Sequence, residues 1–82
     1  MHKNLGNVLR DIGRLEEAVA SCHKAIDINP GLAEAHNNLG NAFQGLGQFD
    51  KALASYHRAL VVKPDYFEAR NNLSNLFREL GR

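Results

Sequence analysis

With 10 basic and 9 acidic residues among 82, the chain carries a net charge of +1 and gathers neither sign into a run, which excludes the footprint of a polyanion binder or a polybasic membrane patch. A hydrophobic share of 44% suits one small domain near the size at which a core is only just sufficient, and no apolar run approaches the ~20 residues of a membrane span. The single cysteine, Cys22, rules out an internal disulfide and falls in a core register, where a small apolar side chain fits.

Taken in order, residues 1 to about 12 predict a helix with Leu5, Val8, Leu9 and Ile12 inward, ended by Gly13. Residues 15–28 predict a second helix, with Glu16 and Glu17 in its first turn where negative charge suits the helix dipole, and Asn29-Pro30-Gly31 reads as a compact turn. Ala35, Leu39, Ala42, Phe43 and Leu46 form one helical stripe over residues 32–46. Phe49, Ala52, Leu53, Tyr56, Ala59 and Leu60 form another over residues 49–62. Gly47 stands where a left-handed residue ends a helix cheaply, and Pro64 closes the second stripe. Asp65 is placed to cap the last helix, with Glu68 at capping-box spacing, and that helix carries Leu73, Leu76, Phe77 and Leu80 to its end at Gly81. There is no strand signal and no low-complexity segment, so five antiparallel helices are expected.

The chain repeats itself at an offset of 34: residues 1–32 share 12 identities with residues 35–66, and residues 33–48 share 9 with residues 67–82. Each helix pair has one apolar stripe per helix and needs neighbours of its own kind to bury it. The repeated residues resemble the tetratricopeptide repeat family. The middle copy carries the pattern as His36, Leu39-Gly40, Phe43, Ala52, Tyr56, Ala59 and Pro64. The first carries it as His2, Leu5-Gly6, Leu9, Ala18, Cys22, Ala25 and Pro30, and the third as Arg70, Leu73-Ser74 and Phe77. His or Arg replaces the leading aromatic, Cys22 replaces a ring and Ser74 replaces a glycine. The resemblance implies an all-α, right-handed solenoid of antiparallel helix-turn-helix repeats. It divides one 82-residue domain into a partial repeat over 1–32, a full repeat over 33–66 and the first helix of a third over 67–82.

The first residue falls inside one repeat and the last just after the leading helix of another, so the sequence reads as a piece of a longer protein. No charged-then-apolar leader begins it; the compartment is left open, with the cytoplasm favoured. The apolar stripe of the last helix has no following helix to cover it. Head-to-tail association or helix exchange between chains is therefore expected.

Opposite the apolar stripes, the leading helices carry amides at spacings of three and four. The first offers Lys3, Asn4, Asn7 and Arg10, the second Glu34, Asn37, Asn38, Asn41 and Gln44, the third Glu68, Asn71, Asn72, Asn75 and Arg78. Asn costs roughly 0.5–0.7 kcal/mol against Ala at a helix interior, so helix stability does not account for this choice. A carboxamide both donates and accepts, which matches an extended backbone. Helices pack about 8–10 Å apart and a strand advances ~3.3 Å per residue, so successive rungs would grip about every third residue of a bound peptide. The resemblance implies that such leading helices line a peptide-binding groove. Asn4, Asn38 and Asn72 look like the asparagine ladder in the repeat domains of O-linked N-acetylglucosamine transferases.

A bland alternative is that the amides hydrate a concave face or bond between helices. A chaperone-type carboxylate clamp matches at Lys3, Asn7 and Asn38 but not at Glu68 and Asn72, where that mode needs cations. Cys22 and His23 are adjacent and diverge on a helix, His57 reads as surface, and no metal or other cofactor is expected. No nucleophile–base pair or phosphate loop is visible, so the chain reads as a non-enzyme whose partner is a protein or peptide. A substrate-presenting arm of a larger glycosyltransferase and a self-associating scaffold are the other two readings.

Overall fold

The computed structural model describes residues 5–81, with side chains from residue 12 onward. The order is α1 (Leu5–Ile28), α2 (Ala33–Gly45), α3 (Phe49–Val62) and α4 (Phe67–Glu79), all helical among the described residues. Four helices stand where five were expected. The last three match their predicted spans to within two residues, and the whole difference lies at Gly13, where α1 runs on without a break.

The reason is visible in the equivalent glycines. At Gly47 the backbone takes φ +77°, Gly47 N–H donates to the Gln44 carbonyl at 3.0 Å, and Gln48 N–H donates to the Phe43 carbonyl at 2.9 Å. That double bond closes the end of α2 in the Schellman pattern. Gly81 takes the same φ of +77° and begins the same turn on the Arg78 carbonyl. Gly13 stays helical. Glycine permits a left-handed turn without compelling it, and continuing a helix through glycine costs only about 1 kcal/mol against alanine. The reversal at Gly47 is sustained because α2, once turned back, packs on α3 as well as on α1.

The core is one cluster of Leu39, Phe43, Ala52, Tyr56 and Leu76, with Val19, Cys22, Ile26, Phe49, Leu53, Leu73 and Leu80 packed against it. Helix α2 is its hub, packing most extensively on α3, then on α1, and along a narrow line on α4. Most of the last helix's stripe is thereby covered by α3 and α2: Leu76 is fully buried, Leu73 and Leu80 are half-buried, and Phe77 remains 40% exposed.

Helix starts differ from expectation. The residue preceding α4 is Tyr66, not Asp65, and no side chain caps it; Pro64 and Asp65 are spent in the turn that Tyr66 N–H closes on the Lys63 carbonyl at 3.0 Å. Two other side chains hold these junctions. His36 Nε2 lies 3.0 Å from the Pro30 carbonyl and Arg70 Nη2 donates to the Pro64 carbonyl at 3.2 Å, the same bond one period apart. With a carbonyl as partner, His36 Nε2 is the protonated ring nitrogen. The residues that replace the family's leading aromatic thus pin each helix to the proline turn before it.

Close approach of α2 and α3 depends on Gly40. A methyl group there would lie 2.5 Å from Tyr56 Cε1 and 2.6 Å from Cδ1, against a fully buried ring. At Gly45 it would meet only the flexible tip of Leu15, at 2.8 Å. Gly40→Ala is expected to destabilise the fold by about 1–2 kcal/mol, overpacking of up to about 3 kcal/mol being partly offset by helix propensity. Gly45→Ala should be neutral or stabilising by up to ~1 kcal/mol. Thermal melts followed by circular dichroism separate the two at roughly 4–8 °C per kcal/mol; a Gly40→Ala melt at the wild-type temperature would contradict the packing account.

Candidate functional site

The amide-bearing faces of α2 and α4 lie side by side, and their side chains bond to one another. Tyr56 is fully buried, and its hydroxyl emerges between them, 2.6 Å from Asn41 Oδ1 and 2.8 Å from Gln44 Oε1. Its single proton serves one of these at a time. Asn72 Nδ2 donates to Asn37 Oδ1 at 3.0 Å and to Asn41 Oδ1 at 3.4 Å, and Asn37 Nδ2 donates to Glu68 Oε1 at 3.4 Å. The result is one connected path from Gln44 through Tyr56, Asn41, Asn72 and Asn37 to Glu68, tying three helices together. No buried side-chain nitrogen or oxygen among the described residues lacks a partner.

This arrangement sorts the expected peptide contacts. Asn37 is fully buried, so its expected place on the groove surface gives way to a structural one: both ends of its amide are engaged with α4. Asn72 is half-buried and committed to the same network. Glu34, Asn38, Asn41, Glu68, Asn71 and Asn75 are exposed. Lys3 and Asn4 lie outside the described residues, and of Asn7 only the helical backbone is described. Asn38 and Asn72 therefore occupy one repeat position in two environments, free face and interhelical bond.

Between α2 and α4 the surface sinks into an open polar depression of about 430 Å³, lined by Asn41, Gln44, Gly45, Asn72, Asn75 and Glu79. Gln44 was expected on this amide face, whereas Gly45 and Glu79 were not. Glu79 carries the only formal charge in this lining. Burial first, and then the nearby Glu79 carboxylate, push the Tyr56 pKa up to about 12. Tyr66 is also raised, by burial and by Glu68 and Glu34, against a lowering hydrogen bond from Asn37. Burial likewise raises the Cys22 thiol, which suits a packing role better than a reactive one.

Comparison with known proteins agrees with the architecture. The tetratricopeptide repeat profile matches residues 33–66, and a further TPR repeat profile matches residues 6–47, just over half of the chain. The chain belongs to the tetratricopeptide repeat family. No curated relative matches it. Repeats of this family generally mediate protein–protein interaction, and no helix among the described residues is long and apolar enough to cross a membrane.

Tyr56 gives the network a titratable reporter. Because its folded pKa lies near 12 and its unfolded one near 10, the folded state keeps the phenolic proton longer. Stability should then fall as pH rises from about 10 to about 12, by up to ~1.4 kcal/mol per unit. Tyr56→Phe should lose about 1 kcal/mol at neutral pH and most of that alkaline slope; denaturant unfolding at several pH values measures both, and an unchanged slope would contradict the assignment.

Proposed function

We propose that this repeat unit is an interaction module that holds an extended peptide segment of a partner protein across the α2–α4 face. The single observation that carries the reading is the polar depression between these helices, three of whose lining amides, Asn41, Gln44 and Asn72, are held in place by the path through Tyr56. A carboxamide held by internal bonds loses little rotamer freedom on binding, so more of each new hydrogen bond survives as affinity. Asn75 and Gln44 present both donors and acceptors to a backbone that alternates N–H and C=O.

Charge narrows the partner. Glu79 lines the depression, and Glu34 and Glu68 are exposed on the same pair of helices. An acidic segment or a free peptide carboxylate would meet repulsion here, in keeping with the mismatch to a carboxylate clamp. A neutral segment with a Lys or Arg near the Glu79 end fits better, and its binding should weaken with salt.

Titration of an extended-peptide array, read by fluorescence anisotropy, tests this. Asn75→Ala removes an exposed side chain outside the internal network and should leave the melting temperature unchanged while weakening binding about fivefold, roughly 1 kcal/mol for one hydrogen bond. Glu79→Gln should lower affinity for Lys-bearing peptides and flatten the salt dependence. Equal binding by wild type and both variants would refute the groove.

A further inference from the structure

The continuous α1 leaves one helix face short of its partner. In the middle repeat, α2 folds back onto α3 and brings Ala52, Tyr56 and Ala59 to zero exposure and Ser55 to 7%. One period earlier the same positions of α1 are Ala18, Cys22 and Ala25, only half-buried, and Ser21, exposed. The segment whose sequence matches α2, residues 5–12 with Leu5-Gly6-Asn7 standing for Leu39-Gly40-Asn41, belongs to the same continuous helix. At 1.5 Å per residue the 24-residue helix is about 36 Å long, and its leading third cannot bend back onto its own trailing half.

We propose that two copies of this chain pair by exchanging these segments, residues 5–12 of each lying on Ala18, Cys22 and Ala25 of the other. Three observations select this occupant. The face to be covered is continuous with the existing α1–α2 interface, because Cys22 already packs against the core cluster that Val19 and Ile26 join. The segment that fits it by repeat register is present on the chain and held away from it. Asn38, exposed here, sits one period before Asn72, which bonds to Asn37 and Asn41; the position that corresponds to Asn41 is Asn7, which the exchanged segment carries.

The register follows from the middle repeat. Gly40 lies against the Tyr56 ring, so one period earlier Gly6 lies against Cys22. An antiparallel pair in that register has its twofold axis at Arg14, beside Gly13. The interface is isologous and closes at two copies. Gly13 is then the hinge: turned as Gly47 is, it would close each chain on itself; helical, as it stands, it delivers the segment to a second copy.

Sedimentation velocity of the whole chain from micromolar to millimolar concentration, paired with the rate of Cys22 alkylation by iodoacetamide, tests the proposal. The expected result is a two-copy species in which Cys22 reacts at least tenfold more slowly than in the dilute chain, since exchange covers it as Tyr56 is covered. Gly13→Ala favours the helical hinge and should tighten the dimer at least tenfold. Inserting two glycines after Gly13 should yield a monomer with Cys22 protected by its own segment. A monomer at every concentration in both wild type and Gly13→Ala overturns the inference. So does a dimer whose Cys22 reacts at the monomer rate, or growth beyond two copies, which would mark end-to-end stacking instead.

Discussion

Everything in this fold turns on the contact between a glycine and a tyrosine. Because Gly40 has no side chain, α2 can approach α3 until the Tyr56 ring lies against it, and the ring then carries its hydroxyl to Asn41 and Gln44. A single residue thus does two things: its body fills the centre of the apolar cluster, and its tip anchors the amides of the neighbouring face. The consequence is that part of the polar face is organised from beneath, by the core, and Asn37, Asn41, Gln44 and Asn72 stand in fixed relation to one another.

Identical residues behave differently according to their place in the stack. Asn37 is buried because α4 lies beyond it, whereas Asn71, one period later, is exposed because no described helix lies beyond α4. Asn72 bonds back to α2, whereas Asn38 has no folded-back leading helix to meet. Ala52 and Ala59 are sealed while Ala18 and Ala25 are not. In a repeat array each unit is completed by its neighbours, so the outer described helices expose positions that the middle repeat buries.

The junctions between repeats show a second economy. No side chain caps α2, α3 or α4, although such caps commonly contribute about 1 kcal/mol each. Instead His36 and Arg70 reach back six residues to the carbonyls of Pro30 and Pro64. A bond across the turn fixes the angle at which one helix hands over to the next, and a cap within the helix would not.

Period, helix type and the turns that follow Ile28 were legible in the residues themselves, because a 34-residue repetition of stripes, Gly and Pro admits few other arrangements. So was the shared polar face of α2 and α4, since spacings of three and four must lie on one side of a helix. Which amides face solvent was not legible: Asn37 and Asn38 are adjacent and chemically identical, and only the packing of α4 against α2 makes one a buried strut and leaves the other free. Nor could the residues decide Gly13 against Gly47. Glycine lowers the barrier to a turn at both, and the choice between reversal and continuation falls to the tertiary contacts that a reversed helix would gain, which differ between the middle of a stack and its end.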